Sequence, residues 1–250
     1  MCKLTYLADY YRYIDKTTWD IINQIDSEDV TCALNTDQIN DVSIQKGLTV
    51  FAFHHIWNQQ NTLLAQQVVN QLLESGDKLF HPFFYFVKSK ASHLNGDYPS
   101  SLAYLDKAED SLKAEINGNN DYRMLLTCIG SLRAGDPDGI EWNVMKAIIA
   151  NDRGNNYQAL AQHDKATESF LLALKLQTDA YRTSTHANVA YTHRCAGKSY
   201  EESGRPVDAR EQYEQAQAIA NLIYGDDDSH PEVIAIQTAL ESPVMRSYTP

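Results

Sequence analysis

Helical spacing dominates the apolar positions of this chain from end to end. Leu4, Leu7, Tyr10, Tyr11 and Ile14 share one helical stripe, which Trp19, Ile22 and Ile25 continue until Asp26-Ser27-Glu28-Asp29 breaks it. A helix is expected from Thr36 through Val50 and Phe53 to Trp57, with 61–73 as its return partner and Gly76 just past its end. His81-Pro82 opens a helix to about Asn95, and Gly96-Asp97-Tyr98 turns the chain into another from Pro99 to about Glu115. Residues 122–133 again have a helical pattern, and Gly135-Asp136-Pro137-Asp138-Gly139 carries the turn chemistry of a loop. A last helix is expected from Pro231 to about Leu240, with the residues from Ser242 onward fraying.

Two stretches share a six-point signature, 43 residues apart: Gly154, Tyr157, Ala161, Ala166, Phe170, Ala173 and then Gly197, Tyr200, Gly204, Ala209, Tyr213, Ala216. The first half places a small residue and an aromatic on one face of a helix; after a turn, the second half places small, aromatic, small on one face of another. Small residues let two backbones approach, and the aromatics fill the seam. A single hairpin of this kind cannot bury its stripe alone and needs stacked neighbours. A weaker copy runs Ser89, Ser92, Gly96, Ser101, Leu105, Ala108, with Ser92 in place of the aromatic. A fourth, Phe53, Ile56, Gln60, Ala65, Val69, Leu72, fits only in its second helix. The weak and strong copies are 65 residues apart, an excess of 22, and 117–139 lies in the stretch between them.

These residues resemble the tetratricopeptide repeat, although the period exceeds the ~34 residues usual for it. The run from Leu222-Ile-Tyr-Gly225 through three aspartates to Ser229-His230-Pro231 is similar to the longer repeats of kinesin light chains and their bacterial and fungal relatives, where His-Pro opens the next unit. Gly225 suits a helix C-terminus and Pro231 the first turn of a helix. The preceding junction keeps its histidine in Thr185-His186-Ala187 but has alanine where the proline would stand. The resemblance implies an all-α fold, a right-handed superhelix (solenoid) of antiparallel helix pairs. The expected organisation is an N-terminal helical region with a degenerate repeat (1–80), a weak repeat (81–116), an insertion or extra helix (117–139), two clear repeats (140–229), and a capping first helix without its partner plus a frayed tail (230–250).

Composition narrows the rest. The net charge of −12 sits at the two ends: 1–41 carry −5 and 201–232 carry −7. Acidic ends argue against binding nucleic acid, which needs a basic face, and suit a solvated surface. Cys2, Cys32, Cys128 and Cys195 lie far apart with no zinc spacing, so free thiols in a reduced, cytoplasmic protein are expected. No apolar run approaches the ~20 residues that span a bilayer, and the N-terminus lacks the order of a signal peptide. Membrane partners are not expected.

In stacked hairpins the first helices line a concave surface where binding usually happens. Opposite Gly154 and Tyr157 stand Asn151, Asn155 and Gln158; one repeat later stand Arg194, Lys198 and Glu201, with Tyr191 a turn earlier. The weak copy places Phe86, Lys90 and His93 there. Amides suit the backbone of an extended peptide, and Arg194 and Lys198 suit an acidic side chain or a terminal carboxylate. The plain alternative is an ordinary solvated helix face. Repeat domains that hold chaperone C-termini clamp the carboxylate with a Lys and Asn set. Only Asn155 stands in a matching place, and Asp152 would repel the ligand, so that activity is disfavoured.

No metal site is expected: His54-His55 diverge by about 100° on a helix, His193 and Cys195 diverge similarly, and His230 is explained as the junction histidine. No nucleophile elbow, phosphate loop or HExxH motif is present, so neither a catalytic residue nor a cofactor is expected. The sequence reads as a non-enzymatic interaction module for a peptide or partner helix. The alternatives are a peptide-responsive regulator, a structural subunit that self-associates as a homodimer through an uncapped end, and an enzyme with its site in 1–80 or 117–139.

Overall fold

A computed structural model of the chain describes residues 16–17, 20–22, 40–57, 62–75, 78–112, 119–128, 141–225 and 227–247. Among these the elements are helical: α1 (Val42–Trp57), α2 (Thr62–Ser75), a 3-10 turn (Lys78–Phe80), α3 (His81–Leu94), α4 (Tyr98–Asp110), α5 (Asn120–Cys128), α6 (Glu141–Ala159), α7 (His163–Tyr181), α8 (Ala187–Glu202), α9 (Pro206–Tyr224), α10 (Pro231–Leu240) and α11 (Pro243–Ser247). They form two compact units, 1–134 and 135–250, each described by itself. Most of the stripe expected in 4–25, together with Gly76 and the loop at 135–139, falls outside the described residues.

In the second unit α6 pairs with α7 and α8 with α9, and α7 packs on α8. The signature explains why. A Cβ on Gly154 would lie 2.6 Å from the Phe170 ring, and one on Gly197 would lie 2.7 Å from Tyr213. The aromatic of the second helix thus occupies the volume a side chain would take on the first. Ala166, Phe170, Ala173, Ala209 and Ala216 are fully buried, and burying each aromatic contributes ~1.5–3 kcal/mol.

The third signature point is the turn itself. Gly96, Ala161 and Gly204 have φ of 77°, 55° and 75°, the left-handed region. In all three turns the next residue donates its backbone N–H five residues back: Asp97 to Ser92, Gln162 to Tyr157 and Arg205 to Tyr200, at 2.8–2.9 Å. This Schellman closure satisfies the last carbonyls of each first helix. Ala161 adopts the conformation with a side chain, which costs ~1–2 kcal/mol relative to glycine's freedom.

Both repeat junctions are built alike, including the one that lacks proline. His186 and His230 cap α8 and α10, their Nδ1 atoms accepting the N–H of Asn188 (3.1 Å) and Glu232 (3.2 Å). Each imidazole stacks on the tyrosine that ends the preceding helix, Tyr181 at 3.9 Å and Tyr224 at 3.7 Å. Proline at the first turn is therefore an aid to this junction, and the histidine is its fixed part.

The end of the unit differs from expectation. Residues 243–247 form α11 instead of fraying, so α10 has a short partner. Met245 is fully buried against Tyr200, Ala209 and Tyr213, while Arg210 donates to its carbonyl (3.2 Å). Helix α11 thus covers this end of the last hairpin, while Ile234 of α10 and Val244 of α11 stay exposed.

In the first unit α1 pairs with α2 and α3 with α4, with α2 and α1 both packed on α3. The weak copy solves the same packing problem differently: Ser89 stands in the glycine position, its hydroxyl bonded to that of Ser101 (2.9 Å), and Leu105 replaces the aromatic. Helix α4 ends at Asp110, earlier than expected, because the backbone N–H groups of Ser111 and Leu112 turn back to Lys107 and Glu109. The excess between the repeats contains α5.

Candidate functional site

Helices α6 and α8 carry the residues singled out from sequence, apart from Lys90 on α3. Asn151 is buried rather than presented: its amide donates to Thr192 Oγ1 (2.9 Å), which also receives Gln177 Nε2 (3.0 Å) and donates to the Asn188 carbonyl (2.7 Å). Asn155 is half-buried and its amide reaches Asp152 (3.3 Å) and Tyr191 OH (3.4 Å). Gln158 donates to Glu202 (3.0 Å), which His163 also approaches at 3.3 Å. Arg194 makes a two-pronged bond to Glu232, 2.7 and 3.2 Å, and its guanidinium lies 5.2 Å from the Tyr191 ring.

Glu201 accepts from Tyr213 OH (2.8 Å) and from Ser242 (3.2 Å), so it faces its own hairpin and α11 instead of a groove. Burial, with Glu201 beside it, holds the Tyr213 phenol well above its ordinary range. Lys198 is the most open of the set, its side chain 55% exposed and its ammonium 3.8 Å from Glu202. In the first unit Lys90 is half-buried, 5.6 Å from the Phe86 ring.

Asn151, Asn155, Gln158 and Arg194 thus form a ladder of bonds between consecutive first helices. The sequence reading missed Thr192, Glu202 and Glu232, the partners that close it. One signal was available: each partner lies 36–44 residues along the chain, close to one repeat away. Cys195 sits beneath the ladder, and burial pushes its thiol up to about 11, so it stays protonated and unreactive at neutral pH. His193 turns to Gln212 (2.9 Å), away from Cys195's side of the helix. Among the described residues no group of three or more His, Cys, Asp or Glu side chains is placed to hold a metal ion.

Two solved structures share this arrangement of hairpins. Both are of a kinesin-light-chain-type protein from Podosopora anserina with nearly identical TPR-like repeats. One carries a single substitution: it superposes with a TM-score of 0.50 at 17% identity, covering 78% of this chain and 82% of that one. The other superposes with a TM-score of 0.51 at 17% identity, covering 80% and 85%. The fold is a TPR-like repeat array. At that identity the likeness speaks for the fold alone. No family model and no curated protein matches the sequence. Among the described residues, no helix of the array is long and apolar enough to cross a membrane.

Proposed function

We propose that this TPR-like chain is a non-enzymatic protein-interaction module of the cytoplasm, holding a peptide or partner helix along the first-helix face of the second unit. The supporting observation is the ladder itself. Asn155, Tyr191, Arg194 and Gln158 are held in place by bonds across the repeats, so a ligand meets polar groups already ordered and little side-chain entropy is lost on binding. Lys198 projects from the middle of this ladder and supplies the open cation, which favours an acidic side chain or a terminal carboxylate in the ligand.

The experiment is a peptide-array screen with the purified chain, followed by affinities for the best binders. Hits are expected to be rich in acidic residues, and Lys198→Glu is expected to weaken them at least tenfold with only a small loss of stability from its new neighbour Glu202. Affinities unchanged by Lys198→Glu would overturn the assignment of this face. Arg194 is unsuitable for that test, because its bond to Glu232 makes charge reversal there a stability change as well.

A further inference from the structure

In the first unit two lysines gather on tyrosine rings. Lys88 of α3 donates to Asn70 Oδ1 on α2 (2.8 Å), and its ammonium lies 4.8 Å from the centroid of the Tyr104 ring on α4. Lys107, one turn along α4 from Tyr104, approaches the same ring at 5.5 Å and the ring of Tyr85 on α3 at 6.0 Å. Tyr85 and Lys88 are themselves one turn apart on α3, so the four side chains close a circuit across the α3–α4 hairpin. The second helices of both hairpins, α2 and α4, border the patch, with Lys88 between them. Lys107 and Asn70 are exposed, and Tyr85, Lys88 and Tyr104 are half-buried.

Charge sets this patch apart. Acids outnumber bases 33 to 21 in the chain, and carboxylates take several of its cations: Asp121 takes Lys46, Glu232 takes Arg194, Asp208 takes Arg205 and Glu214 takes Arg210. Among the described residues Lys88 and Lys107 make no ion pair. Lys146 and Lys165 also lie over rings, those of Trp142 and Tyr157, but each is the single cation on its ring among the described residues. A ring face attracts an ammonium by ~0.5–1 kcal/mol at an exposed site and holds it in place, yet neutralises none of its charge. Each ammonium also has three donors, of which Lys88 spends one on Asn70. Two positioned, like charges with unused donors therefore share one ring.

We propose that Lys88, Lys107, Tyr85 and Tyr104 form a docking surface for an acidic run in a protein partner, with one carboxylate on each ammonium. Two carboxylates close together in an extended segment satisfy both cations through charge-assisted bonds. A single carboxylate leaves one ammonium unanswered. A long polyanion such as nucleic acid fits poorly, because Asp106, Glu109 and Asp110 lie along the same helix as Lys107. This surface lies in the first unit and the one proposed above lies in the second, so either can fail alone.

The test titrates the full chain with a fluorescein-labelled peptide carrying four consecutive glutamates, and with its glutamine version as control. It is run in a Lys198→Glu background, which removes the open cation of the second unit. The glutamate peptide is expected to bind and the glutamine peptide not to. Lys88→Ala with Lys107→Ala is expected to weaken binding ~10-fold or more, and Lys88→Arg with Lys107→Arg to retain it. Tyr104→Leu keeps both charges but removes the ring that holds them, and is expected to weaken binding ~3-fold. Lys107→Glu alone gives the same direction without touching the bond to Asn70, and circular dichroism checks that each variant keeps its helices.

Equal binding of the two peptides overturns the proposal. So does affinity unchanged by Lys107→Glu, or an equal loss from Lys175→Ala on the exposed side of α7, which would mean general attraction to a cationic chain. A single-stranded oligonucleotide that binds more tightly than the glutamate peptide, and is lost in the same lysine variants, would overturn the partner assignment.

Discussion

The α3–α4 hairpin and the α6–α7 and α8–α9 hairpins fill one seam in two ways. In the second unit glycine yields its side-chain volume to an aromatic ring, Gly154 to Phe170 and Gly197 to Tyr213. In the first unit the volume stays on the first helix as Ser89, and the second helix carries the smaller Leu105. The serine hydroxyl is then satisfied by Ser101, which stands where Ala166 and Ala209 stand elsewhere. The comparison teaches that the signature is a volume exchange across a hairpin, with each small residue meaningful only beside its partner.

Breaking that exchange gives the largest effect. Phe170 is fully buried, so Phe170→Ala is expected to cost ~3–5 kcal/mol in chemical denaturation. Gly154→Ala drives a methyl into the ring and is expected to cost ~1–3 kcal/mol despite alanine's better helix propensity. Importing the first unit's solution sharpens the point: in a Phe170→Leu background the Gly154→Ala penalty should shrink by more than ~0.5 kcal/mol. Additive behaviour in that cycle would show that the two positions do not trade volume.

The two units also differ on their first helices, one set carrying a polar ladder and the other an aromatic cluster of Phe53, Phe83 and Phe86. The ladder predicts the next largest effect. Arg194 and Glu232 are each about four-fifths buried, so Arg194→Gln should cost ~1–2 kcal/mol, between an exposed pair and a buried one. Lys198→Gln should cost under ~0.5 kcal/mol, because its contact is long and solvated. Equal losses at the two sites would mean that the ladder does not hold the repeats together.

How much of this was legible in the chain follows from what each feature depends on. The hairpins were, because small–aromatic spacing reports the seam directly and each turn needs a left-handed residue at a fixed place. The excess between the weak and strong repeats was legible as a number, but where α5 docks depends on Lys46 and Phe83, 75 and 39 residues upstream of Asp121 and Tyr122. On the first helices Asn151, Gln158 and Arg194 meet Thr192, Glu202 and Glu232, partners that the sequence reading did not name. Counting turns places a side chain on a face; it does not say that Thr192 or Glu232 already meets it there. Folding of 242–247 was missed because Val244 and Met245 are a short apolar pair in a polar tail, and the burial of Met245 depends on its packing against Tyr200 and Tyr213.

The turns of the two units give a smaller effect. Gly96 and Gly204 take their left-handed conformation freely, whereas Ala161 holds the same one with a methyl group. Ala161→Gly is expected to stabilise the chain by up to ~1 kcal/mol, and Gly204→Ala to destabilise it by a similar amount. A shift of the same sign at both positions would contradict a common turn.

The smallest effect concerns pH and again separates the repeats, because α8 turns His193 onto Gln212 of α9 where α6 carries Ala150 one period earlier. Burial lowers the pKa of His193, against the opposing bond to Gln212. The unfolded chain therefore takes up this proton at a higher pH than the folded chain. Stability from His193 is fully present above its ordinary value near 6.5 and is lost as pH falls through the folded one. His193→Gln removes this group's titration while keeping a polar side chain opposite Gln212. The stability difference between wild type and variant, followed by urea denaturation from pH 8 to pH 5, should therefore move in the variant's favour on acidification. Movement toward the wild type would mean that the folded chain prefers the imidazolium and that Gln212 outweighs burial.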